Sequence, residues 1–177
     1  MNQATKKIIL LVFLLLAASC NQKKISDKAV PSPAYDYSHQ LKVGGLTLMV
    51  EVASDSAKMQ LGLSNRESMA DNQGMLFDFG ADAKVSPSFW MKGMKFNLDL
   101  IWIYKNKIIG ITADVLAPDV SCSMLHVPCT LPLYSPPSPV DSVLEVNAGW
   151  SGRNGIKVGD EVKLIEQNLK KLNDSQD

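Results

Sequence analysis

Two acids stand in the middle of apolar runs: Asp99 in Leu98-Asp99-Leu100-Ile101 and Glu145 in Val143-Leu144-Glu145-Val146. A carboxylate among large apolar neighbours is costly to bury without a donor, so each acid needs a partner. Acting as a pair, they could supply the general acid and base of glycoside hydrolysis, a reaction that depends on the separation of two carboxyl groups. Acting singly, each would belong to a structural network with Arg66 or backbone amides. Asp99 also shares the run Ser88–Ile103 with Trp90 and Trp102, two of the three tryptophans. Arg66 lies in the loop Asn65–Asp71, where its guanidinium is either solvated or bridges carbonyls or a carboxylate in the interior.

Other catalytic templates are missing from the sequence. It has no Gly-x-Ser-x-Gly, no His-Glu-x-x-His, no phosphate loop and no dinucleotide-binding glycine pattern. There are only two histidines, His39 and His126, so a Ser/His/Asp triad would have to use His126. The methionines invite a soft-metal site, but Met69, Met75, Met91, Met94 and Met124 are scattered among strand and loop positions. That is the pattern of core filling. No motif implies a cofactor.

The cysteines carry the cellular address. Lys6 and Lys7 precede an unbroken apolar run, Ile8–Ala18, of a length suited to a secretory signal and too short to cross a bilayer. The run ends in Leu16-Ala17-Ala18-Ser19-Cys20, which resembles a bacterial lipoprotein signal with Cys20 as the lipid-carrying residue. The reading is an extracytoplasmic, membrane-anchored lipoprotein of the bacterial cell envelope. In that compartment Cys122 and Cys129 are expected to pair as a disulfide, contributing roughly 2.5 kcal/mol by chain entropy. Zinc is the weaker alternative, because His126 is the only nearby histidine and a four-ligand site would have to be completed from elsewhere.

Loss of residues 1–19 leaves a formal charge of −2, with no basic excess to hold a polyanion, which argues against nucleic-acid binding. Residues 20–39 are polar, lysine-bearing and aperiodic, and read as a lipidated N-terminus and flexible tether. Residues 167–177 read as a polar tail.

Between tether and tail, residues 40–166 must form the elements that position the acids. Leu46, Leu48, Val50 and Val52 alternate with polar neighbours as in a half-buried strand, preceded by a Gly44-Gly45 hairpin turn. A capped two-turn helix is predicted over Ser54–Leu63. Strands are predicted over Gly74–Phe79, Ser88–Met94, Leu98–Tyr104, Lys107–Val115, Val143–Val146 and Glu161–Glu166. A tight turn at Lys105-Asn106-Lys107 joins two of them. The segment Ala117–Pro139 holds six prolines and reads as an excursion over the surface or a sheet edge. Short strands with one or two short helices indicate a mainly β, all-β domain, a compact sandwich or barrel-like fold.

The order of several motifs resembles the DUF192 family, also called UPF0127. They are Glu51-Val52, Gly62-Leu63, Arg66, Gly74-Met75-Leu76-Phe77, Phe89-Trp90-Met91-Lys92, Leu98-Asp99-Leu100-Ile101, Tyr134-Ser135, Val143–Val146 and Gly155–Asp160. The resemblance spans about Leu46 to Leu164 and departs at Asn97, where the family usually has proline. It implies a compact, mainly β, often exported domain without an established activity. Its motifs add Lys92, Tyr134 and Asp160 to the polar residues of interest, and Tyr134 to the candidate donors for Asp99 and Glu145. The candidate ligand-binding set is therefore Arg66, Trp90, Lys92, Asp99, Tyr134 and Glu145, with Arg66 or Lys92 meeting an anionic or hydroxylated molecule and Trp90 stacking on it. The expected function is a non-catalytic binding or envelope-accessory module for a small molecule or envelope polymer. The alternative is a hydrolase of an envelope polymer or glycan, acting through Asp99 and Glu145.

Overall fold

The computed structural model describes residues 35–118 and 131–165. Strands β1 (His39–Val43) and β2 (Leu46–Ala53) form a hairpin through Gly44 and Gly45. Both glycines have positive φ, as a two-residue turn with the right twist requires. A side chain at Gly44 would in addition bring its Cβ within 2.8 Å of Ile156 Cδ1. Helix α1 (Ser56–Leu61) follows, capped by Asp55, whose carboxylate accepts from the Lys58 amide at 2.9 Å. It carries the chain across to β3 (Gln73–Asp78), which pairs parallel to β2.

A second hairpin joins β4 (Leu98–Tyr104) and β5 (Lys107–Val115) through Lys105 and Asn106, again at positive φ. Strand β6 (Ser142–Asn147), the short helix α2 (Trp150–Arg153) and β7 (Val162–Ile165) complete the chain order. The seven strands form one sheet in the order β5-β4-β6-β3-β2-β1-β7. Its two edges meet at one end. Lys107 bridges Glu161, the Ile108 amide donates to Asp160 at 3.0 Å, and the Val162 amide donates to Asn106 at 2.8 Å. The fold is thus mainly β, a curled, barrel-like sheet with two short helices.

Each face of the sheet has its own core. The enclosed face takes residues from all seven strands, including Leu41, Leu48, Leu76, Ile101, Leu144 and Val162, with Trp150 and Ile156 packed among them. The other face, built around Met75, Phe77, Leu100, Trp102 and Val143, is covered by chain from the α1–β3 and β3–β4 connections. Met69, Met91 and Met94 are buried in this second core. Strands β4 and β6 are buried on both faces, so they read as continuous apolar runs rather than as alternation.

One sequence expectation changes. Ser88–Met94 is not a strand. Phe89 makes a single bridge with Tyr134, the Met94 amide turns back to Met91 at 3.1 Å, and Gly93 sits at φ +72°. The alternation that suggested a strand is real, with Met91 buried and Trp90 exposed, but the segment runs over the second core without a ladder beside it. His39 opens β1, and Tyr35 and Tyr37 pack on Arg66 because their rings cover a buried guanidinium.

Candidate functional site

Asp99 is fully buried on β4, and the chain spends it on its own backbone. A β-bulge separates the Leu98–Val115 and Leu100–Thr112 pairs, leaving one extra residue on β5 and Asp114 at φ +54°. The Asp114 amide left over by this bulge donates to Asp99 Oδ1 at 3.0 Å. Helix α2 begins at Gly149, which has no side chain to cap it. Asp99 does so from β4: Gly149 N donates to Oδ1 at 2.9 Å, Ser151 N to Oδ2 at 3.0 Å, and Ser151 Oγ to Oδ2 as well. Burial pushes the Asp99 carboxyl up, but these donors outweigh it and hold the pKa below the usual carboxylate value.

Glu145 occupies the other face. The β4–β6 register pairs Leu100 with Glu145 and Asp99 with Val146. Residues directly opposite in a ladder share a face, so Glu145 lies with Leu100 and Asp99 with Val146. The sheet itself stands between the two carboxyl groups. They cannot flank one glycosidic bond, so the acid–base pair of the alternative hydrolase reading is not brought together on this sheet.

Arg66 is only 4% exposed, and both of its terminal nitrogens are hydrogen-bonded. Its Nη2 donates to Glu51 Oε2 at 2.7 Å, and its Nη1 donates to Tyr37 Oη at 3.0 Å. The guanidinium carbon lies 3.7 Å from the centre of the Tyr35 ring. Burial raises the Tyr37 pKa, and Arg66 offsets part of that rise. Glu51, Met75 and Glu145 stand in one row across β2, β3 and β6, as their register pairs show. Arg66 thus neutralises Glu51 at one end of a row whose other end is Glu145.

Glu145 borders a cavity of about 180 Å³ on this second face. One wall is the C-terminal part of α1 and its exit, Met59 to Ser64, and the opposite wall is Pro87 to Trp90. Phe77, Phe79, Met94 and Glu145 complete the lining. Gly62 stops α1 at φ +52°, a conformation suited to glycine, and any Cβ there would lie 3.4 Å from Phe77 Cζ. Trp90 and Leu61 stand at the rim, 51% and 57% exposed.

Glu145 is only 6% exposed, and its Oε2 has no hydrogen-bond partner among the described residues. Burial pushes its carboxyl up to about 8, with the Arg66 guanidinium pulling in the opposite direction. At neutral pH the group is therefore mostly a neutral acid. An unpaired polar atom in such a place is expensive unless something occupies the space beside it.

Of the residues singled out in the sequence, Glu145 and Trp90 come together at the cavity. Arg66, Lys92, Asp99 and Tyr134 do not line it. The Lys92 side chain is exposed, and its carbonyl accepts from Ser64 Oγ at 2.9 Å. Tyr134 contributes its backbone to the Phe89 bridge and its ring to the second core. Asp160 accepts from the Lys157 amide at 2.9 Å in the turn before β7. Cys20, Cys122 and Cys129 lie outside the described residues. The cavity's other walls, among them Met59, Gly62, Phe79 and Met94, escaped sequence reasoning, which sees them as ordinary core and turn residues. The sequence signal that bears on Glu51 is its place on the polar parity of β2.

No curated protein matches the chain. A solved structure from Sinorhizobium meliloti 1021, named as a candidate transcription regulator, is 31% identical, with a TM-score of 0.59 over 71% of this chain and 92% of that one. Another, from Novosphingobium aromaticivorans DSM 12444 and of unknown function, is 28% identical, with a TM-score of 0.58 over 70% of this chain and 83% of that one. The model of DUF192, an uncharacterized family, matches residues 39–164, and the chain belongs to that family.

Proposed function

We propose that this domain is a non-catalytic binding module whose site is the cavity at Glu145, held in the cell envelope by a lipid on Cys20. The observation that carries the reading is the Glu145 carboxyl, buried, short of a partner and bordering a cavity of about 180 Å³. An engineered cavity of about 150 Å³ takes a single ring such as benzene, so the space suits a ring-sized group. The absence of a second ionisable residue among the described residues of the lining supports binding over catalysis, since general acid–base work needs further groups that move protons. The two lining hydroxyls are engaged, Ser64 with the Lys92 carbonyl and Ser88 with Ser135 Oγ.

The lipid anchor and envelope location rest on Lys6, Lys7, the Ile8–Ala18 run and Cys20. With a formal charge of −2 after removal of residues 1–19, the chain has no electrostatic attraction for DNA. The regulator name of the Sinorhizobium protein is therefore not transferred to it.

The test is a thermal-shift screen of single-ring compounds on the mature protein. A ligand at a hundredfold excess over its Kd stabilises by about 2.7 kcal/mol, which moves the melting temperature by a few degrees. The expected hits also change the fluorescence of Trp90 and lose their effect in Met59→Trp, which puts an indole into the space. Hits that act equally on Met59→Trp would place the site elsewhere.

A further inference from the structure

We infer that the cavity at Glu145 is a receptor for a small organic amine, an ammonium group on a ring-sized apolar body. This rests on the binding-module reading above and adds the charge and size of the ligand. Three observations lead to it. First, Glu145 is the only ionisable residue among the described residues that line the cavity. An entering anion would meet a carboxyl and no cation, because Arg66 is engaged with Glu51 and Lys92 does not line the space.

Second, the walls suit a cation with an apolar body. Phe77, Phe79, Phe89 and Trp90 offer aromatic rings, and Met59 and Met94 offer polarizable thioethers. Aromatic faces attract ammonium groups, and more strongly where water is excluded. Third, the unpartnered Oε2 of Glu145 provides the acceptor, inside the second core rather than at its surface. The ligand supplies the positive charge that this face lacks at Glu145. Arg66 supplies it for Glu51, two strands away in the same row.

The arrangement makes binding proton-linked. Burial holds the Glu145 carboxyl up at about 8, against the pull of Arg66. Glu51, already paired with Arg66, is the other charged group in its row. An ammonium ligand stabilises the carboxylate, so the proton leaves Glu145 for solvent as the ion pair forms. The ligand stays protonated. A neutral ligand that accepts a hydrogen bond would instead need the protonated acid, and its affinity would fall as pH rises.

Phenethylamine, phenethyl alcohol and 3-phenylpropionate form a matched set of cation, neutral molecule and anion. Titration calorimetry of each against the mature protein at pH 6, 7 and 8 tests the inference. The expected result is that the amine binds at least tenfold more tightly than the other two at pH 8. Its affinity should rise close to tenfold from pH 6 to pH 7, with release of nearly one proton, read by comparing buffers of different ionisation enthalpy. Glu145→Gln should remove this preference and flatten the pH dependence. Trp90→Ala, at the exposed rim, should weaken the amine and the alcohol together. Equal binding of amine and alcohol, or an amine affinity that falls with pH, overturns the amine assignment and leaves the binding site standing. No binding by any of the three probes overturns both.

Discussion

Asp99 and Glu145 sit on neighbouring strands one register step apart, yet the sheet separates them, because Leu100 is the residue opposite Glu145 and Val146 the one opposite Asp99. The two acids accordingly have opposite electrostatics. Asp99 is surrounded by donors and kept ionised, whereas Glu145 lacks them and is kept neutral. One serves the backbone and the other borders a cavity.

Asp99→Asn should be strongly destabilising at neutral pH. The substitution keeps the size but turns one acceptor into an NH2 that must face an amide, at Gly149 or Ser151. The expected loss is about 3 kcal/mol in urea denaturation. The Asp99 pKa is depressed in the folded state, so its contribution is present above the usual carboxylate value and is lost as pH falls through the folded one. The gap between wild type and variant should therefore close only in acid. A loss below about 1 kcal/mol at pH 7 would contradict the bonding seen at the α2 start.

Glu145→Gln should stabilise the protein increasingly as pH rises. A carboxyl whose folded pKa is raised costs stability once the unfolded chain can ionise, so the penalty begins near 4.5, grows up to about 8 and is then constant. Across that window the variant should gain roughly 3–5 kcal/mol relative to wild type. The charged groups nearby are Arg66 and Glu51, and neither changes in the variant. Melting curves between pH 5 and 9 check this, and parallel profiles for the two proteins would refute it.

Removing one partner of the Glu51–Arg66 pair should hurt more than removing both. Glu51→Leu leaves a guanidinium that is 4% exposed without its counter-ion, at an expected cost of about 3 kcal/mol. The double variant Glu51→Leu/Arg66→Met should recover part of that loss. It should not recover all of it, because Arg66 also holds Tyr35 and Tyr37. Additive losses in the double-mutant cycle would mean that the pair is not coupled.

Gly74→Ala should loosen β3 from β6. Its Cβ would lie 2.9 Å from the Glu145 carbonyl oxygen and 3.1 Å from Leu144 Cδ1, and the first of these is backbone that cannot swing away. The expected cost is roughly 1–3 kcal/mol, together with faster hydrogen exchange of the β3 and β6 amides. Unchanged exchange would show that the ladder absorbs a methyl group at this point.

Cys20→Ser should release the exported protein from the membrane fraction. Mass analysis of the wild type without reductant should find Cys122 and Cys129 each short of a thiol hydrogen. Persistent membrane association of the variant would sink the lipid anchor, and two free thiols would sink the disulfide.

Much of the sheet was legible because its strands announce themselves locally. The alternation in β2, the turn at Lys105-Asn106 and the apolar runs of β4 and β6 need no knowledge of the partner strand. Asp99 was legible as a buried acid for the same reason. Its face was not, since Leu98 and Leu100 on either side are both buried and give no parity. Only the cross-strand register, a contact distant in sequence, separates it from Glu145. Ser88–Met94 failed in a related way, because residue alternation shows an extended chain but not whether a strand lies beside it. The cavity is a third level removed, arising where the α1 exit and the Pro87–Trp90 segment cover the same face.

The pairing of β1 with β7 bears on how the domain carries load. Gln40 lies opposite Ile165, so the chain enters and leaves the sheet side by side at one end of a single antiparallel ladder. A pull between these two points would open the ladder like a zipper, breaking its cross-strand bonds one after another instead of all at once in shear. A lipid at Cys20 and a load on the C-terminal tail would make this joint the first to yield. Strain would thus reach β1 and β7 well before the β3–β6 centre that carries Glu145.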